Sequence, residues 1–115
     1  MNIGDFKGMV FTQVVGLEEQ SEEVVFTSSR GRKFKMYHQQ DCCESVYVSD
    51  VCGDSSDLVG AAVVSAEERA IESETDWGTM TATFYDIQTT AGSVTIRWNG
   101  ESNGYYSESV DIDEI

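Results

Sequence analysis

Apolar and polar residues alternate along much of this chain, and a period of two is typical of β-strands buried on one face. The run Ser93 to Asn99 is the clearest case, with Val94, Ile96 and Trp98 forming one apolar stripe. Runs of this kind, separated by Gly, Ser, Asn and Asp, predict a series of short strands. The predicted strands cover residues 9–15, 23–28, 33–38, 44–51, 79–89, 93–99 and 105–112.

The connections between these runs are short and have turn chemistry. Ser29 to Arg32 contains Gly31, which can adopt a positive φ, and predicts a hairpin turn. Ala91-Gly92 and the segment from Gly100 to Gly104 are predicted to join the last three strands. Gly53 to Leu58 predicts one helical turn, capped by Asp54 or Ser55.

The number of short strands predicts a mainly β fold and one domain over residues 1–115. We expect an antiparallel sheet, either curled into a small barrel or packed as a two-layer sandwich, with at most one or two short helices. The segment Ala62 to Ile71 leaves two structures open, because it fits a strand or a helix lying on the sheet.

Charge is distributed unevenly along the chain. The net charge is −14, yet residues 1–40 balance five acids with five bases, so residues 41–115 carry all of the excess. That excess disfavours direct contact with nucleic acid or an anionic membrane, since both are polyanions. A protein with a basic surface is the natural partner.

A predicted acidic surface follows from the same residues. Acids at alternating strand positions stand about 6.5–7 Å apart on one face, close to the spacing of phosphates along a nucleic-acid strand. A stiff acidic sheet is therefore a possible DNA mimic, while a merely solvated surface is the plainer interpretation. The acids of this surface are Glu67, Glu68, Glu72, Glu74, Asp76, Glu101, Glu108, Asp111, Asp113 and Glu114.

The segment from His38 to Glu44 gathers several reactive side chains: His38, Asp41, Cys42, Cys43 and Glu44. Imidazole, thiol and carboxylate are zinc ligands, and a cysteine with a neighbouring histidine is a candidate nucleophile. Against both, the chain has no Cys-x-x-Cys, and acidic neighbours disfavour a thiolate. Buried cysteines and a histidine that bonds a backbone group or Asp41 are the plainer alternative. The sequence thus predicts no cofactor, with zinc as a weaker possibility.

A second segment, Trp98 to Ser107, combines two glycines with Asn103, Tyr105 and Tyr106. It fits a structural hairpin, or a contact loop, because Tyr and Trp are enriched at interface hot spots.

Localisation is predicted from what the sequence contains. Its first residues lack a basic stretch followed by an apolar run, and its longest uncharged apolar stretch, residues 58–66, is too short to cross a bilayer. Three cysteines fit a reducing compartment better than a disulfide framework. We therefore expect a cytoplasmic protein without membrane association.

Two motif segments stand out: His38-Gln39-Gln40-Asp41-Cys42-Cys43-Glu44-Ser45-Val46 and Gly100-Glu101-Ser102-Asn103-Gly104-Tyr105-Tyr106-Ser107-Glu108-Ser109-Val110. Together with Gly53 to Gly60, which lies between them, they resemble a small bacteriophage family without an agreed activity. The resemblance covers roughly residues 35–112. It implies a phage origin, action in the host cytoplasm, and proximity of the two motif segments in space.

The leading functional hypothesis is a non-enzymatic binding protein that engages a basic or nucleic-acid-binding host protein by charge mimicry. Alternatives are a metal- or cysteine-dependent enzyme centred on His38 to Glu44, and a minor structural or assembly protein that self-associates.

Overall fold

A computed structural model of the chain describes residues 1–39, 44–76, 78–103 and 108–115. The described residues form two four-stranded sheets in which every neighbouring pair of strands is antiparallel. The first sheet has the order β1 (Phe11–Val15), β2 (Glu23–Ser28), β3 (Lys33–Tyr37) and β8 (Asp111–Glu114). The second has the order β4 (Ser45–Cys52), β7 (Gly92–Ser102), β6 (Thr79–Thr89) and β5 (Val63–Glu74).

The two sheets share one apolar core, so the predicted mainly β fold is confirmed as a two-layer sandwich. Phe6, in a short 3-10 turn named η1 (Ile3–Phe6), packs its ring 5.1–5.5 Å from the rings of Phe11, Phe26 and Phe34. Trp98 of the second sheet donates its indole N–H to the Met36 sulfur of the first, at 3.2 Å. Each large apolar side chain buried in this way contributes about 1.5–3 kcal/mol.

Strand alternation matches the predicted faces. Phe34 and Met36 of β3 are fully buried, whereas Lys33 and Lys35 are not. Val94, Ile96 and Trp98 of β7 are buried in the same way. The turns predicted around Gly31 and after Asp54 are also present: Gly31 has a φ of 80°, and η2 (Ser55–Asp57) begins after Asp54.

The segment Ala62 to Ile71 is extended, and its helical alternative is wrong. β5 pairs with β6 over its full length, from Val63 opposite Thr89 to Glu74 opposite Thr79. A helix lying on a sheet needs an apolar stripe to bury, but residues 67–74 are exposed on both faces.

The predicted C-terminal hairpin is wrong in its described parts. β7 continues through Gly100 to Ser102, and β8 begins only at Asp111. β8 joins the first sheet, where its register places Asp113 opposite Lys35 and Ile112 opposite Met36. This register pairs opposite charges outside and apolar side chains inside, which favours it over a hairpin with β7. The expected strand residues Tyr105 and Tyr106 lie outside the described residues.

Helical structure within the described ranges consists of η1 and η2, of four and three residues, and neither has the length to cross a membrane.

Candidate functional site

The two sheets differ in length, and this mismatch creates the candidate site. Strands β5, β6 and β7 have 11 or 12 residues, which corresponds to roughly 36–41 Å. Strands of the first sheet have only four to six residues, or roughly 13–20 Å. The second sheet therefore extends beyond the first, in agreement with an elongated molecule of 44 × 24 × 21 Å.

The inner face of the second sheet changes from apolar to polar where it leaves the first sheet. On β6 the buried Ile87 and Tyr85 give way to threonines, and on β7 Trp98 is followed by Gly100 and Ser102. Cross-strand pairing aligns the polar residues on one face. We call this set the polar overhang; it consists of Glu72, Glu74, Thr79, Thr81 and Ser102.

Glu108 lies on the polar overhang. One carboxylate oxygen accepts hydrogen bonds from the hydroxyls of Thr79 (2.5 Å) and Ser102 (2.9 Å), and the other accepts one from Thr81 (3.3 Å). A Cβ atom at Gly100 would stand 2.8 Å from the Glu108 Cβ, so only glycine permits this approach without a shift. The start of the segment that leads into β8 is thus anchored on the second sheet by the half-buried Glu108 carboxylate.

His38 and Glu44 form a buried pair beside the overhang. His38 follows β3 in the first sheet and Glu44 precedes β4 in the second, and their side chains are only 4% and 0% exposed. The His38 Nε2 atom is 3.0 Å from a Glu44 carboxylate oxygen, and Nδ1 is 2.6 Å from the Ser109 carbonyl oxygen. This pair connects the two sheets and holds the segment leading into β8.

The positions of the protons in this pair follow from the hydrogen-bond acceptors around the His38 ring. A carbonyl oxygen only accepts, so Nδ1 carries a proton and donates it to Ser109. A further proton lies between Nε2 and the Glu44 oxygen, because two unprotonated acceptors 3.0 Å apart would repel. Both ring nitrogens are therefore engaged by described groups.

The candidate residues from the sequence are only partly brought together. His38 and Glu44 are in contact, and exposed Asn103 follows β7 near Glu108. Asp41, Cys42, Cys43, Tyr105 and Tyr106 lie outside the described residues. The described flanks of the two motif segments do meet, through His38 with Ser109 and through the pairing of Ser45 with Glu101. Contact between the central motif residues stays a prediction.

Metal ligation also remains a prediction where it depends on Cys42 and Cys43. Within the described ranges, no three His, Cys, Asp or Glu side chains are arranged to hold a metal ion. Cys52, an exposed free thiol, ends β4 and is separated from Glu44 by the whole strand, roughly 25 Å. It is therefore too distant to complete a site with His38.

The acids of the predicted acidic surface are distributed over both sheets, and three of them, Glu68, Asp111 and Asp113, line one cleft. Asp111, Asp113 and Glu114 belong to β8 in the first sheet. Glu101 is half-buried on β7, and Glu108 is bound to the overhang. The other five acids lie on β5 or just after it, and all are exposed: Glu67, Glu68, Glu72, Glu74 and Asp76.

The β8 acids have local partners. Arg32 donates two hydrogen bonds to Glu114, both 2.9 Å long, and lowers the pKa of that carboxyl. The Tyr37 hydroxyl donates to Asp113 at 2.6 Å, and this bond to a carboxylate raises the pKa of Tyr37. Within this group Glu114 is paired with a base, and Asp113 is bonded to a neutral hydroxyl.

Residues 67–86, which we call the acidic arm, have little compensation. They contain six acids and one base, a net charge of −5. The base, Arg69, bonds Asp86 at 3.2 Å and stacks 5.0 Å from the centre of the Phe84 ring. Glu68 accepts a bond from the buried Tyr85 hydroxyl at 2.9 Å, and burial together with this charge raises the pKa of Tyr85.

Four acids of the arm stand without compensation. Glu67, Glu72, Glu74 and Asp76 make no ion pair inside the described part of the chain. The arm is therefore the region in which unneutralised negative charge is concentrated on regular structure.

A cleft of about 370 Å³ lies at the end of the sandwich opposite the overhang. It is lined by three bases, Lys7, Arg30 and Arg32, and by Asp5. Its neighbours Gly8 and Met9 bond to Val63, the first residue of β5, whereas the arm contains the last eight residues of that strand. The three bases of the cleft thus lie at the end of β5 away from the arm, whereas Arg69 and Arg97 stack on Phe84 of the arm.

A family model described as a domain of unknown function (DUF7448) matches residues 7–112. The chain belongs to the DUF7448 family. The match extends from before β1 into β8 and so includes the first sheet, beyond the expected resemblance over residues 35–112. No curated protein and no solved structure matches the chain.

Sequence reasoning missed the hydroxyl groups that bind Glu108 in this DUF7448 domain. Thr79, Thr81 and Thr83 recur at a period of two, directly before the apolar positions Tyr85 and Ile87. A core-facing stripe that turns polar in mid-strand indicates that the covering layer ends there. That signal was available and would have located the overhang.

Proposed function

We propose that this DUF7448 protein is a non-enzymatic binding protein whose acidic arm engages a basic surface of another protein. One observation carries the proposal: Glu67, Glu72, Glu74 and Asp76 are exposed on or directly after β5 and make no ion pair in the described part of the chain, whereas Glu114 of β8 is paired with Arg32. Charge fixed on a sheet steers a basic partner toward one orientation.

The spacing of the arm's acids supports mimicry of nucleic acid. Glu72 and Glu74 share one face of β5 two residues apart, which separates their Cα atoms by about 6.5–7 Å. Phosphates along one nucleic-acid strand have a similar spacing. The partner we propose is accordingly a nucleic-acid-binding protein, which the arm would occupy in place of DNA or RNA. On the motif resemblance alone, we further propose a phage origin and action in the host cytoplasm.

Two triple variants with the same change of charge test the proposal. In the arm variant, Glu67, Glu72 and Glu74 become glutamine. In the control variant, Glu18, Glu19 and Glu22, which are exposed acids between β1 and β2, become glutamine. Each variant raises the net charge by the same amount, so any difference between them reflects where the acids are placed.

Each protein is immobilised and used to capture proteins from a bacterial lysate at low salt, and the captured proteins are quantified by mass spectrometry. A captured nucleic-acid-binding protein is then purified and bound to a fluorescent DNA duplex. The wild type or a variant is added, and displacement of the duplex is followed by fluorescence anisotropy. The wild type and the control variant are expected to displace the duplex, with an effect that weakens as salt is added. The arm variant is expected to lose most of this activity. Equal displacement by all three proteins, or equal loss in both variants, contradicts the proposal.

A further inference from the structure

β5 presents a long free edge. It is the outermost strand of the second sheet, and among the described residues the N-terminal segment lies along its first part, where Met1, Asn2 and Ile3 share a cleft with Glu68. The Gly8 N–H donates to the Val63 carbonyl, and the Val63 N–H donates to the Met9 carbonyl, both at 2.8 Å. Beyond this point, residues 67–74 have no described backbone partner other than β6. Alternate peptide groups along eight residues therefore direct N–H and C=O toward solvent.

The other described sheet edges are short or covered. On β4, Val48 exchanges backbone hydrogen bonds with Gln20 and Ser21, both at 2.7 Å. β1 has five residues and receives a bond from the Gly60 N–H, and β8 has four residues. Proteins protect long edges because such edges pair with other strands. The exposed edge of β5 is therefore available for pairing with another strand.

Side chains along the edge define what could pair with it. Residues 67–74 contain four glutamates and Arg69, a net charge of −3, with Ile71 58% exposed at the centre. A second copy is less suited, because both strands would carry a net charge of −3. Antiparallel self-pairing centred on Ala70 and Ile71 sets Arg69 opposite Glu72, but it also places Glu67 opposite Glu74 at both ends, and like charges opposite each other are destabilising. A strand that alternates basic and apolar residues complements both the charge and the exposed isoleucine.

We propose that residues 67–74 of β5 accept an extended, lysine- or arginine-rich segment of the partner as an added strand. This inference rests on the proposed function and supplies its binding mode. Main-chain hydrogen bonds along the edge set the register of the incoming strand. The glutamates on the two faces select for basic side chains.

The test uses the wild-type protein and two synthetic peptides. One peptide alternates lysine and valine. The other has the same sequence and charge but carries methyl groups on its backbone nitrogens, which removes the donors that an added strand needs. Affinities are measured by calorimetry at low salt, and amide hydrogen exchange of the protein is followed by NMR.

The unmodified peptide is expected to bind roughly tenfold or more tightly than the methylated one, since several backbone hydrogen bonds are lost on methylation. It is also expected to slow exchange at alternate amides within residues 67–74. Equal binding of both peptides without protection, or binding of neither, overturns strand addition. Protection of these amides by dimerisation without peptide also overturns it and makes a second copy the occupant. The proposed function is judged separately, by whether duplex displacement depends on the arm.

Discussion

The buried pair of His38 and Glu44 can be tested by removing the carboxylate. In the Glu44→Ala variant, the Nε2 atom loses its 3.0 Å partner while the imidazole stays 4% exposed between the sheets. Removing one member of a buried, hydrogen-bonded charge pair costs about 3–5 kcal/mol, because the remaining group is desolvated and unpaired. We expect the free energy of unfolding to fall by that amount.

Two further variants separate the pair from its surroundings. Glu44→Gln keeps an oxygen that can accept from Nε2 and is expected to lose less, about 1–3 kcal/mol. In the double variant His38→Ala with Glu44→Ala, the stranded imidazole is gone. The loss in the double variant should therefore be clearly smaller than the sum of the two single losses.

Urea denaturation followed by tryptophan fluorescence gives these free energies, and thermal melts provide a second measure. For a chain of this size, a loss of 3–5 kcal/mol lowers the melting temperature by roughly 10–20 °C. A loss below about 1 kcal/mol for Glu44→Ala, or strict additivity in the double variant, refutes the argument that these groups act as one buried bridge.

Two substitutions and one titration test other parts of the fold. Gly100→Ala is expected to lose about 1–3 kcal/mol in urea denaturation, because the new methyl group would lie 2.8 Å from the Glu108 Cβ; an unchanged midpoint contradicts the close approach. Arg32→Gln is expected to raise the pKa of Glu114 toward its ordinary value in an NMR titration. The Glu114 carboxyl stabilises the fold above its unfolded pKa, and this contribution disappears as pH falls through the depressed folded value, so the acid sensitivity of the variant should be smaller. Tyr85 is expected to stay protonated in ultraviolet titrations at pH values that ionise free tyrosine, and ionisation at the ordinary pH contradicts its burial.

Most of the fold could be predicted because strand alternation is a local property. The faces of β3 and β7 follow from the period of two in Phe34-Lys35-Met36 and Val94 to Trp98. β5 was ambiguous because glutamate and alanine do not favour strands by themselves. Its extended structure depends on pairing with β6, a contact between distant parts of the chain. The partner of β8 was missed for the same reason, since its register is set by β3.

The candidate site was harder to predict. His38 and Glu44 were identified for their chemistry, but the third member of their contact is the Ser109 backbone carbonyl, which no residue type reveals. Whether acids are neutralised also depends on the sheet arrangement. Glu114 and Glu72 look equivalent in sequence, yet only Glu114 has an arginine beside it.

The length of the molecule determines how strongly the bases of the cleft and the acids of the arm interact. At physiological ionic strength, electrostatic interactions are screened over about 8 Å, whereas the long axis measures 44 Å. The arginines and lysine of the cleft therefore contribute little to the electrostatic potential that a cation meets at the acidic arm. A chain whose first third is neutral overall can in this way still present, at its far end, the local field of a strongly anionic polymer.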